Sequence, residues 1–155
     1  MPARIDLSTA GVRMHYVVET AAGTKPSATS KVELQGVKEI PEMNPAPDTL
    51  ETTTLNDTEY KTYIDGLKDI GGALSFTFNL TQELVDTWDT LMSAYETAKD
   101  EKKGVWFIIS IPGITNALWF RGNPSALGLP SMSVNSVLET TCYITPTAAP
   151  EWAAL

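Results

Sequence analysis

The sequence predicts a mainly β (α+β) domain, a β-sandwich or open barrel with one flanking α-helix. Several segments alternate apolar and polar residues at the period of a strand, and one segment alone repeats at the period of a helix. The chain has 155 residues, 43% hydrophobic and 19% charged. That is the range of one globular domain, 1–155, able to bury its own core without disulfides or metals.

The helix is expected at about 82–103. Thr81 stands in N-cap position, with Gln82 and Glu83 in the first turn, where acceptors and negative charge are favoured. Leu84, Val85, Trp88, Leu91, Met92, Tyr95 and Ala98 then fall on one stripe, with Leu84, Trp88, Leu91 and Tyr95 at its centre. Lys99, Lys102 and Lys103 crowd the end, and Gly104 supplies the expected stop.

Strands account for most of the rest. Val12, Met14, Tyr16 and Val18 share one side of a first strand, and Lys31 to Glu39 reads as a second, weaker one. Leu50 to Leu55 is rich in β-branched residues. From Ala73 to Leu80, Leu74, Phe76, Phe78 and Leu80 point one way and Ser75, Thr77 and Asn79 the other, which predicts one packed and one wet face. Val105 to Ile111 is apolar on both faces. Ala117 to Arg121 and Met132 to Thr145 complete the set, the latter with a β-bulge or bend expected at Ser136-Val137-Leu138.

Between these lie an N-terminal arm at 1–11, long loops at 41–49 and 56–72, and a loosely held C-terminal tail at 146–155. Both loops carry apolar or aromatic side chains that a purely solvated loop does not need, among them Met43, Tyr60, Tyr63, Ile64 and Leu67. They serve either as a partner surface between subunits or rings, or as a fold-back onto the chain's own core.

The residue inventory offers little to catalysis. His15 is the one histidine and Cys142 the one cysteine, so no multi-histidine or paired-cysteine metal spacing exists. Cys142 reads as a small buried hydrophobe and His15 as a residue on the exposed side of its strand. Carboxylate pairs such as Glu39 with Glu42, Asp48 with Glu51 and Asp65 with Asp69 read as solvated charge, with no cleft to hold them at a working separation. Gly66, Gly71 and Gly72 precede a strand, not a helix, so no phosphate-cradling loop is present. The expectation is a protein without enzymatic activity, cofactor or metal. A net charge of −8 argues against gripping nucleic acid. No run approaches the ~18 apolar residues of a membrane span, and the start lacks a secretory signal's apolar core.

Several stretches resemble the major tail tube proteins of phages with long non-contractile tails (the siphovirus type) and of related prophages. They are Gly36-Val37-Lys38-Glu39-Ile40-Pro41-Glu42, Leu50-Glu51-Thr52-Thr53-Thr54-Leu55, Tyr63-Ile64-Asp65-Gly66-Leu67-Lys68-Asp69 and Gly72-Ala73-Leu74-Ser75-Phe76-Thr77-Phe78-Asn79. Near the end come Leu127-Gly128-Leu129-Pro130, Val134-Asn135-Ser136-Val137-Leu138-Glu139 and Tyr143-Ile144-Thr145-Pro146. Asp65 departs from the pattern, where relatives often have a proline.

The resemblance implies a structural virion protein that self-assembles into stacked hexameric rings, a tube through which DNA passes into the host without specific binding. The implied partners are itself and other tail proteins, namely tape measure, tail terminator and distal tail protein. The implied location is the virion tail, assembled in the host cytoplasm. On this reading the polar strand faces line the bore, with Glu33, Gln35, Glu51, Thr53, Glu139 and Thr141 the expected lumen residues, and the helix stripe packs on the outside of the sheet. Two alternatives stand beside it. One is the tube protein of a contractile injection or type VI-like secretion apparatus; the other is a carbohydrate-binding β-sandwich using Trp106, Trp119 or Trp152.

Overall fold

The computed structural model describes residues 10–44, 46–69 and 72–155. The first strands are β1 (Arg13–Val18), β2 (Val32–Leu34), β3 (Val37–Glu39), β4 (Ala46–Glu51), β5 (Tyr63–Asp69) and β6 (Leu74–Asn79). Helix α1 (Gln82–Asp100) follows, then β7 (Val105–Ser110), β8 (Asn116–Pro124), β9 (Glu139–Pro146) and β10 (Glu151–Ala154).

Eight strands form one sheet in the order β2-β1-β7-β8-β9-β6-β3, with β10 also paired to β8; β4 and β5 pair only with each other. Consecutive strands β2 and β3 thus sit at opposite ends of the path, although only Gln35 and Gly36 separate them. Two residues span roughly 10 Å between the flanking strands, so the sheet must curl until its ends nearly meet. Gly36 makes this corner at φ 84°, a left-handed conformation that glycine adopts freely. Asn79 N–H donates to Gly36 O at 2.8 Å and ties the corner to β6.

The concave face carries the core. Met14 and Tyr16 from β1, Leu34 from β2, Phe76 and Phe78 from β6, Phe107 from β7, Phe120 from β8 and Ile144 from β9 pack into one cluster. Leu84, Trp88 and Leu91 plug it from α1, all three fully buried, and Tyr95 packs half-buried against its edge. Phe120 stacks with Phe107 at 5.4 Å and with Phe76 at 6.2 Å between centroids, joining the two halves of the curl. Trp88 turns its edge to Phe78 and donates its indole N–H to Ser125 O at 2.9 Å.

Thr81 caps the helix through its hydroxyl, which accepts from Leu84 N at 3.2 Å. The other end differs from expectation. Lys102, at φ 60°, is the left-handed stop; Lys103 N–H reaches back to Ala98 O and Lys102 N–H to Lys99 O, a Schellman closure. Helix α1 therefore ends at Asp100, not near 103. Gly104 instead makes room for a neighbour, since a Cβ there would overlap the Arg121 guanidinium.

Further differences have separate causes. Lys31 to Glu39 is two strands because the Gly36 corner divides it. The loops expected at 41–49 and 56–72 contain β4 and β5, a hairpin that packs no face on the core and so shows no apolar alternation. Only Leu50 and Glu51 of the 50–55 segment are in a strand. Residues 132–138 are irregular, so Val137 and Leu138 are exposed loop residues and no bulge lies there. The tail is held. Strand β10 pairs with the first half of β8, from Glu151↔Trp119 to Ala154↔Asn116, while β9 takes the second half. Of the arm expected at 1–11, residues 1–9 lie outside the described residues.

Candidate assembly surfaces

The convex face of the sheet has two unlike halves. Over β1, β7 and β8, a small apolar cluster of Val17, Ile108, Ala117 and Trp119 is covered by Ala28 and Ala153. Lys25 clamps this cover: its Nζ lies 4.4 Å from the Trp119 ring centroid and 3.0 Å from Glu151. Over β3, β6 and β9 the face is open and polar. Thr77 stands opposite Thr141, and Asn79 opposite Glu139, on paired strands. Glu139 in turn holds Lys38 of β3 at 2.6 Å.

The expected lumen residues distribute over three places. Glu139 and Thr141 share the open polar half. Glu33, opposite His15 in the β1–β2 register and 3.9 Å from Arg13, lies at the far end of the sheet, and Gln35 is exposed at the corner. Glu51 and Thr53 belong to the β4–β5 arm, off the sheet altogether.

That arm stands apart from the main sheet. Its strands are joined by pairs such as Leu50↔Ile64 and Glu51↔Tyr63, and among the described residues no strand pairing ties it to the larger sheet. Leu50, Tyr63, Ile64, Leu67, Tyr60 and Leu55 are exposed, Leu55 completely. The tip is nevertheless ordered by local bonds. Asp57 accepts from Thr54 N at 2.7 Å, and Thr52 and Thr62 bond through their hydroxyls at 2.9 Å. A two-stranded hairpin alone is marginal in water, and among the described residues this one is held by its own ladder and these tip bonds. Met43 differs from its loop companions: it is buried in the chain's own core cluster, the fold-back arrangement and not a partner contact.

A second exposed surface is the β8–β9 connection, residues 125–138. Trp88 anchors its start, and Leu80 N–H donates to Leu138 O at 3.0 Å at its end. Between these anchors Leu129, Met132, Val134 and Val137 are exposed. The segment contains no charged residue, in a chain of net charge −8. Sequence reasoning placed part of it in a strand and missed it as a surface, although the uncharged run was visible.

The residues with chemical potential are kept apart. His15 lies on the convex side of β1 and Cys142 on the concave side of β9, so they face away from one another. Burial pushes the Cys142 thiol up to about 12. Among the described residues no group of three His, Cys, Asp or Glu side chains is placed to hold a metal ion. Of the tryptophans considered for sugar binding, Trp119 is buried and Trp106 half-buried, leaving Trp152 exposed. No described helix is long and apolar enough to cross a membrane.

His15 is half-buried, and its pKa is lowered by burial first and then by Lys31, with Glu33 pulling the other way and Arg13 adding a smaller push down. A histidine whose folded pKa lies below its unfolded value near 6.5 favours folding in its neutral form. Its contribution is complete above pH 6.5 and is lost as pH falls toward the lowered folded value. The urea midpoint of the wild type should therefore drop more between pH 7.5 and 5.5 than that of His15→Gln. Parallel pH profiles for the two proteins would refute this assignment.

Sequence reasoning also missed Glu19. It is 2% exposed, yet its carboxylate accepts from the Gly104 N–H and from Trp106 Nε1 at 3.2 Å, and faces Arg121 at 3.6 Å. These contacts lock the end of β1 to the turn between α1 and β7.

No family profile and no curated protein sequence matches the chain. Solved structures share its fold. A chain in the cryo-EM structure of the anti-feeding prophage cap, the tube terminating cap, superposes with a TM-score of 0.59 at 11% identity, over 100% of this chain and 95% of that one. A chain in the six-fold symmetrised cryo-EM structure of the anti-feeding prophage baseplate gives 0.55 at 9% identity, over 99% and 97%. The chain thus has the fold of components of phage-tail-like particles.

Proposed function

We propose that this chain is a structural subunit of a phage-tail-like particle, assembling with copies of itself into rings that stack as a tube. The observation that carries this is the β4–β5 arm, a hairpin that exposes Leu50, Tyr63, Ile64 and Leu67 and, among the described residues, has no strand pairing to the main sheet. On a fold like that of the anti-feeding prophage chains, an arm of this kind is an assembly element. A head-to-tail contact closes into a ring when its rotation allows, and a second one stacks rings into an open filament. Structural kinship favours a particle of the contractile-injection type over the siphovirus tail tube that the sequence segments resemble. The two part at one point: a contractile particle requires a sheath around the tube.

The open polar half of the sheet is the face we assign to the bore. Hydroxyls of Thr77 and Thr141 give it a neutral surface, and Lys38, the cation there, is held by Glu139. Such a lining lets a polyanion pass, because each free lysine–phosphate contact would add salt-sensitive affinity.

Negative-stain microscopy of the concentrated protein tests the reading. Wild type is expected to form rings or hollow tubes. The double variant Ile64→Asp/Leu67→Asp, altering arm residues 55% and 87% exposed, is expected to keep its stability within about 0.5 kcal/mol and to form none. A wild type that stays monomeric at every concentration would sink the proposal. Particles containing this chain whose tubes carry no surrounding sheath would move it to the non-contractile class.

A further inference from the structure

The core is not sealed at one end. Where β3 runs past the start of β1 and the end of β7, a cavity of ≈ 480 Å³ opens between Val12, Val37, Ile40, Ile109 and Ile111, with Lys38 and Glu39 also lining it. Val12, Val37, Ile40 and Ile109 belong to the main core or pack against it, so the cavity is core surface left facing outward.

We infer that this groove receives the arm tip of a neighbouring copy, with Leu55 as the inserted side chain. The inference rests on the proposed self-assembly and names the receptor that assembly requires. Leu55 is fully exposed at the far end of the arm. Ten residues from Ala46 to Leu55 reach at most about 30 Å, of which the strand to Glu51 supplies more than half. The Leu55 turn is also electrically quiet. From Thr52 to Thr58 its one charged side chain is Asp57, already accepting bonds from the Thr54 amide and hydroxyl, and Glu59 and Lys61 follow on the returning side. It enters an apolar groove without stripping water from a free charge. The exposed 125–138 segment, anchored at both ends, has no such reach. Leucine into a pocket on the next copy is a heterologous contact, the kind that propagates along a filament.

A double variant, Leu55→Cys with Ile111→Cys, tests the contact under mild oxidation. Cys142 stays silent because it is buried and its thiol is protonated. Tubes are expected to give a ladder of disulfide-linked multimers on a non-reducing gel, and dilute monomer none. Independently, Leu55→Asp should raise the protein concentration needed for assembly at least tenfold while leaving the melting temperature unchanged. Tubes without a ladder, and indifferent to Leu55→Asp, would overturn the groove assignment and leave the tube intact. A wild type that makes no tubes would overturn both. If a thiol at position 111 were shielded from a maleimide in dilute monomer, the groove would already be filled from within its own copy, and the assignment would fail.

Discussion

Trp88→Ala is expected to cost about 3–5 kcal/mol, the range for removing a large aromatic side chain from a packed core. Trp88 is fully buried, meets Phe78 edge-on, and bonds Ser125 O through its indole N–H. The substitution opens a cavity between helix and sheet and leaves a carbonyl without its donor. Since domains of this size are stable by about 5–15 kcal/mol, the variant should unfold at markedly lower urea. Trp88→Phe, which keeps most of the volume and loses the bond, should cost less than half as much. Equal losses from the two variants would show that packing is not what Trp88 contributes.

Arg121→Met is expected to cost about 3 kcal/mol, because removing one partner of a buried pair leaves the other charge uncompensated. Glu19 keeps two N–H donors, from Gly104 and Trp106, but loses its cation. The discriminating measurement is the double variant Glu19→Gln/Arg121→Met. Neutralising both partners should recover at least half of the single-variant loss. A single variant as stable as wild type would mean that solvent at the guanidinium, whose side chain is 34% exposed, screens the pair.

What the sequence disclosed follows from which faces meet the core. Helix α1 was legible from its cap and stripe, because Leu84, Trp88 and Leu91 repeat at the period that burial demands. Strand β6 was legible because Leu74, Phe76 and Phe78 point inward while Ser75 and Thr77 point out. Strands β5 and β10 were not. The arm packs no face on the core, so nothing forces its apolar residues into register. In β10 the pairing with β8 comes from backbone groups, which every residue carries alike. The Glu19–Arg121 pair joins residues about a hundred positions apart, beyond any local pattern. The ordered segments scattered along the chain pointed to a tail-type fold, and to the siphovirus tail tube in particular, which neither the matched structures nor any family profile supports. The contractile-type neighbours came from the fold, which at 9–11% identity outlasts sequence likeness.

The curled sheet has a temporal consequence. Strand β1 pairs with β7 from Val18↔Val105 to Arg13↔Ser110. During synthesis at ~5–20 residues per second, β1 emerges ~5–20 s before β7 exists, with the three-residue β2 to pair with in the meantime. For that interval its Met14, Tyr16 and Val18 face an incomplete interior. Arg13 and His15 alternate with them, polar interruptions of the kind that discourage a waiting strand from pairing with the wrong neighbour. The first strand of the chain thus emerges with polar residues guarding it against premature association.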